Sequence, residues 1–156
     1  MRIYIIGPSG SGKTTLSHKI TKEHNAVRWS GDETKLRPKR LIPLVVESLK
    51  DNDTIVLDFL STKLKLRQYI LEELKDIECK KILVFMNTPL EECMRRNLLK
   101  DDPLPQFVIE DTHSSLEYPT LDEGWDEIIV INNDKDIENL KNEIKSLDLL
   151  GGDLNA

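Results

Sequence analysis

The sequence has few cysteines, few aromatic side chains and no long apolar run. It contains 2 cysteines among 156 residues, and aromatic residues make up 5% of the chain. Two cysteines cannot form a disulfide framework, so Cys79 and Cys93 are predicted to be thiols in a reducing compartment. No stretch approaches the roughly 20 apolar residues of a membrane helix, and the apolar start is too short for a signal peptide. We therefore expect a cytoplasmic protein without a membrane partner.

The chain also lacks an excess of positive charge. It has 28 acidic residues against 22 lysines and arginines, which gives a net charge of −6. This balance argues against a protein that coats nucleic acid without specificity, although a local basic groove is compatible with it. Hydrophobic residues make up 38% and charged residues 32% of the chain, a composition typical of a globular domain. The length predicts a single core.

Short apolar runs alternate with helical patterns along the chain, which predicts an α/β domain with a parallel sheet. The predicted strands are residues 3–6, 26–30, 54–57, 82–86 and 128–131. The predicted helices are residues 13–24, 41–50, 63–77, 90–99 and 136–149. Right-handed crossovers place helices on both faces of such a sheet. We expect a three-layer sandwich with a five-stranded parallel sheet, formed by one domain over 1–150 and followed by a flexible tail at 151–156.

Residues 7–15 read GPSGSGKTT and match the phosphate-binding loop of P-loop NTPases, the Walker A motif G-x-x-x-x-G-K-[ST]. A predicted strand precedes the motif and a predicted helix follows it. Successive backbone N–H groups and the helix N-terminus attract phosphate, Lys13 reaches the β- and γ-phosphates, and the Thr14 hydroxyl ligates Mg²⁺. The predicted nucleotide-binding residues are Gly7, Ser9, Gly10, Ser11, Gly12, Lys13, Thr14 and Thr15.

Two acidic residues come after predicted strands. Asp58 directly follows the strand at 54–57 and fits the Mg²⁺-organising position beside a phosphate loop. Asp32 follows the strand at 26–30, where a carboxylate could orient an acceptor hydroxyl and take its proton during phosphoryl transfer. Asp32 is the predicted base and Glu33 the second candidate. The alternative is structural, since such residues also cap helices and form turns.

Cations cluster in three places. Two clusters either form solvated faces or flank an anionic substrate, namely Lys35, Arg37, Lys39 and Arg40, and then Lys63, Lys65 and Arg67. In the third, Arg96 and Lys100 are four residues apart and would stack on one helical face, at the start of a lid over about 95–120. Lid cations neutralise charge that develops during transfer. The alternative is that Arg96 pairs with Glu91 or Glu92, and the acidic stretch 101–127 is expected to face solvent.

Four segments resemble the polynucleotide 5′-hydroxyl kinase group of small P-loop kinases, namely residues 7–15, 29–37, 87–100 and 114–131. The resemblance implies a P-loop kinase fold with a small helical lid, ATP and Mg²⁺ held by Lys13 and Thr14, and Asp32 as the general base. It implies that Arg96 and Lys100 lie over the donor phosphates. It also implies that Lys35 or Arg37 contacts an acceptor phosphate, and the predicted substrate-binding residues are Lys35, Arg37 and Asp58.

These observations predict an ATP-dependent kinase that transfers the γ-phosphate to a hydroxyl group. The favoured acceptor is the 5′-hydroxyl of RNA or DNA. The first alternative is a kinase for a small acceptor, a nucleoside monophosphate or a sugar, and the second is a nucleotide-binding regulator without transfer chemistry. The residues after the last two strands, at 87–89 and 132–135, do not match the Asn-Lys-x-Asp of GTP switches, so guanine specificity is not expected.

Overall fold

The computed structural model describes residues 2–7, 13–59, 63–140 and 142. Parallel strands and the helices that connect them form this part of the chain. The strands are β1 (Arg2–Gly7), β2 (Val27–Ser30), β3 (Thr54–Asp58), β4 (Lys80–Met86) and β5 (Glu127–Ile131). The helices are α1 (Lys13–Glu23), α2 (Gly31–Thr34), α3 (Pro38–Ser48), α4 (Leu64–Leu74), α5 (Leu90–Leu98) and α6 (Gln106–Ser114). A 3₁₀ turn follows at Leu121–Glu123, and residues 134–140 are helical.

The strand order is β2-β3-β1-β4-β5, and each neighbouring pair is parallel. Ile6 of β1 and Ser30 of β2 both lie opposite Asp58, the last residue of β3. The carboxyl ends of these three strands therefore meet at one edge of the sheet, where ligands bind in open α/β sheets. The α/β class predicted from the sequence is confirmed.

Both faces of the sheet are covered, which explains why the strands read as continuous apolar runs. Ile55 and Leu57 of β3 pack on one side with α3 and α4, whereas Val56 packs on the other side with α1. This division follows from the two-residue repeat of a strand, which sends successive side chains to opposite faces. The core therefore holds both α1 and the α3–α4 pair at fixed positions beside the carboxyl edge.

Two helices were not predicted. The four-residue α2 is too short to show a helical period, and α6 has a weak apolar stripe in which Ile109 is buried while Phe107 is 67% exposed. The helix predicted at 41–50 begins earlier, because Pro38 suits its first turn.

Residues 141 and 143–156, with the predicted tail, lie outside the described residues. None of the helices in the described ranges has the length and apolar character needed to cross a bilayer.

Candidate active site

The predicted phosphate loop lies between β1, which ends at Gly7, and α1, which begins at Lys13. This strand–loop–helix order is the context that the motif requires. Residues 8–12, including Ser9, Gly10, Ser11 and Gly12, lie outside the described residues, as do the side chains of Lys13 and Thr14. Thr15 is exposed on the first turn of α1. The assignments of these residues to nucleotide and Mg²⁺ stay predictions.

Asp58 is 1% exposed at the end of β3, next to the strand that leads into the phosphate loop. Its Oδ2 accepts hydrogen bonds from Ser17 Oγ at 3.0 Å and from Arg28 Nη2 at 2.7 Å. A buried carboxylate is stable only when it is paired and hydrogen-bonded, and these donors meet that need. The sequence predicted a strand-end aspartate here, but it did not predict Arg28 as its partner.

Arg28 connects three elements of the site. Its Nε donates to Ser17 Oγ of α1 at 2.7 Å, its Nη2 to Asp58 of β3, and its Nη1 to Glu33 Oε1 of α2 at 2.8 Å. The Arg28 side chain is 8% exposed. A charged residue inside the short strand at 27–30 was the only available signal, and its partners depend on the pairing of β2 with β3, which the sequence does not specify.

Asp32 is the second residue of α2, and its side chain lies outside the described residues. The cap of this helix is Ser30, whose hydroxyl accepts from the Glu33 backbone N–H at 3.3 Å. The alternative that Asp32 serves as the N-cap is therefore wrong. Glu33, the second candidate base, is ion-paired with Arg28. A β-carbon added at Gly31 would lie 2.6 Å from Phe59 Cδ2, so glycine allows α2 to approach the core here.

The two basic clusters meet at one cleft, here called the basic cleft, with a volume of about 1090 Å³. Six cations line it, namely Lys35, Arg37, Lys39, Arg40, Lys63 and Lys65. Leu66 and Tyr69 of α4 contribute apolar and aromatic surface, and Glu117 contributes one carboxylate. Burial and the nearby Glu73 raise the pKa of Tyr69, so its phenol is neutral at physiological pH. The cleft therefore combines a cationic rim with an amphipathic wall.

Arg67, grouped with this cluster in the sequence, has a different role. Its side chain is fully buried, and its Nε and Nη2 donate to Oε1 and Oε2 of Glu123 at 2.7 and 3.2 Å. Helical geometry turns Arg67 inward while Lys63 and Lys65 line the cleft. The expectation that the acidic stretch 101–127 faces solvent is likewise wrong for Glu123, because that carboxylate pairs with Arg67 in the interior.

The predicted lid residues Arg96 and Lys100 do not share a helical face, because α5 ends at Leu98 and Lys100 follows it. Arg96 Nε donates to Glu92 Oε1 at 3.1 Å, which is the pairing considered as its alternative role. Hydrogen bonds from Arg95 and Arg96 lower the pKa of Glu92 to about 2. Arg96 also lines a cavity of about 230 Å³ at the ends of β4 and β5.

A family profile described as "AAA domain" matches residues 3–119. The chain belongs to this family. Its fold is similar to a sugar kinase from Janibacter sp. HTCC2649, with 18% identity, 89% of this chain and 91% of that chain covered and a TM-score of 0.68. It is also similar to a gluconokinase from Sinorhizobium meliloti 1021, with 15% identity, 96% of each chain covered and a TM-score of 0.66.

A third similar structure is Kti12 of Chaetomium thermophilum in complex with ADP-AlF3, with 15% identity, 94% of this chain and 98% of that chain covered and a TM-score of 0.69. No curated protein matched the sequence. At these identities the likeness shows the fold alone, which is the α/β fold of P-loop kinase-like NTPases. The sequence resemblance is thus confirmed at the level of P-loop kinase-like proteins, and the narrower assignment to polynucleotide kinases stays a proposal.

Proposed function

We propose that this protein is a phosphotransferase that moves the γ-phosphate of ATP to a hydroxyl group of an acceptor bound in the basic cleft. The observation that carries the proposal is the position of this cleft. Its rim includes Lys35 and Arg37, which directly follow α2, the helix that contains Asp32. The phosphate loop follows β1, two strands from β2 in the sheet. Donor and acceptor sites would thus flank the candidate base.

In the proposed reaction, the acceptor oxygen forms a bond to the γ-phosphorus while the bond to the β-phosphate oxygen breaks and ADP leaves. The acceptor proton passes to the Asp32 carboxylate. Lys13 would hold the β- and γ-phosphates. Thr14 and Asp58 would hold Mg²⁺, which prefers oxygen ligands such as the buried Asp58 carboxylate, and the ion would neutralise charge on the phosphates.

The chemistry of the cleft favours an acceptor with several negative charges and a planar or apolar part. The six cations would contribute little binding free energy to an uncharged sugar, whereas they can pair with successive phosphates of a polynucleotide. Tyr69 offers an aromatic ring for stacking a base, and Leu66 adds apolar surface beside it. We therefore propose a 5′-hydroxyl end of RNA or DNA as the acceptor. The second candidate is a small-molecule acceptor, which is supported by the sugar kinase and the gluconokinase among the similar folds.

A transfer assay with γ-labelled ATP tests the proposal. It offers 5′-hydroxyl RNA and DNA oligonucleotides, nucleoside monophosphates and sugars side by side. Label is expected in the oligonucleotide, and it should be lost in Lys13→Ala and in Asp32→Asn, the latter with ATP binding retained. Label in a monophosphate or sugar alone would establish the small-molecule alternative. ATP binding without transfer to any acceptor would instead indicate a regulator.

A further inference from the structure

Arg28 is placed to fix the geometry between the three elements that carry the proposed reaction. It bonds Ser17 on α1, one helical turn after Lys13, where the phosphate loop ends. It bonds Asp58 at the end of β3 and Glu33 on α2, next to Asp32. The planar guanidinium directs its donors at fixed angles, so each element is held relative to the other two.

We propose that Arg28 is a positioning residue that holds α2, and with it Asp32, in register with the phosphate-loop helix. This inference rests on the proposed function. Two of its partners, Ser17 and Asp58, are buried. The third, Glu33, is 62% exposed, so the Arg28–Glu33 pair can be weakened with little cost to folding. Glu33 Oε1 also lies 3.9 Å from His18 Nε2 of α1. Small displacements of a reacting group reduce turnover strongly.

The test compares Glu33→Gln with Glu72→Gln. Both glutamates are exposed and ion-paired, at 2.8 Å to Arg28 and 2.6 Å to Lys75, but only Glu33 belongs to the site. We expect Glu33→Gln to lower kcat about tenfold with the KM for ATP within about twofold. Glu72→Gln should match the wild type. Arg28→Lys should lower kcat at least as much, since it alters all three bonds of Arg28, and adding Glu33→Gln to it should cost little more, because both changes weaken the same Arg28–Glu33 pair.

Equal kcat in Glu33→Gln and Glu72→Gln, or additive losses in the double variant, would overturn the proposal. So would a loss above about 100-fold in Glu33→Gln, since that would make Glu33 the base. Hydrogen exchange separates this inference from the proposed function, because it needs no turnover. ATP should slow exchange at residues 31–34 in the wild type but not in Glu33→Gln. If the wild type transfers no phosphate, the proposed function fails. If ATP leaves exchange at residues 31–34 unchanged in both proteins, or slows it equally in both, the role of Arg28 is overturned.

Discussion

The fully buried Arg67 guanidinium is paired with both carboxylate oxygens of Glu123, which lies 56 positions later in the chain. Glu123 also accepts from the Thr120 backbone N–H at 2.8 Å and from Trp125 Nε1 at 3.3 Å. The turn that leads into β5 is thereby attached to α4. Because Lys65, Leu66 and Tyr69 of the same helix line the basic cleft, this pair also fixes one wall of the cleft.

Glu123→Gln is expected to destabilise the protein by about 3–5 kcal/mol, because it removes the carboxylate charge that is paired with the buried Arg67 guanidinium. Urea unfolding at neutral pH measures this loss. The control is Glu72→Gln, which removes the exposed pair with Lys75 and should cost less than about 1 kcal/mol. A loss of similar size in both variants would contradict the importance of the buried pair.

The Glu123 carboxyl should also contribute to acid sensitivity. Burial alone raises its pKa, but hydrogen bonds from Arg67, Thr120 and Trp125 outweigh burial and hold the pKa below its usual 4.5. A carboxyl with a lowered pKa in the folded state stabilises the fold above its unfolded pKa, and this contribution is lost as pH falls through the folded value. Unfolding free energies from pH 6 down to about 3 should fall less steeply in Glu123→Gln than in the wild type. Parallel curves would contradict this assignment.

The sequence predicted the parts of the site that depend on local patterns. Strand periodicity and the Walker A spacing placed the loop between β1 and α1, and the apolar run at 54–57 placed Asp58 at a strand end. The two basic clusters were visible as charge runs. These features could be found because each depends on neighbours along the chain.

Long-range partners could not be predicted in the same way. Arg67 belongs to a run of cations in the sequence, yet the packing of α4 places its side chain against Glu123 and not in the cleft. Arg28 finds Asp58 only because β2 pairs with β3. Arg96 and Lys100 were placed on one face by their spacing alone, although the helix predicted at 90–99 ended before Lys100, as α5 does at Leu98. The limits of sequence reasoning here are strand order and helix rotation.

Charge in the basic cleft should control the affinity for a polynucleotide acceptor. The double variant Lys35→Gln/Arg37→Gln is expected to raise the KM for the polynucleotide acceptor. It should also lower the slope of log KM against log salt by about 1.4, since each phosphate contact to a single strand contributes about 0.7. Lys19→Gln/Lys80→Gln is the control, because it removes the same charge from exposed positions outside the cleft. Steady-state kinetics across salt concentrations gives both quantities. Equal slopes in the two variants would indicate an acceptor that does not use the cations.

Arg96 and Arg95 allow the donor side to be tested with a matched pair. Both arginines bond to Glu92, but only Arg96 lines the cavity at the ends of β4 and β5. These strands lie on the side of β1 away from the basic cleft, where the nucleotide would extend from the phosphate loop. Arg96→Ala should therefore raise the KM for ATP about tenfold, because it removes one charged hydrogen bond to the nucleotide. Arg95→Ala should change this KM by less than about twofold. Both variants keep one arginine on Glu92, so α5 retains an ion pair in each. If the two KM values rise together, Arg96 acts only through Glu92, and the lid has no direct part in holding the donor.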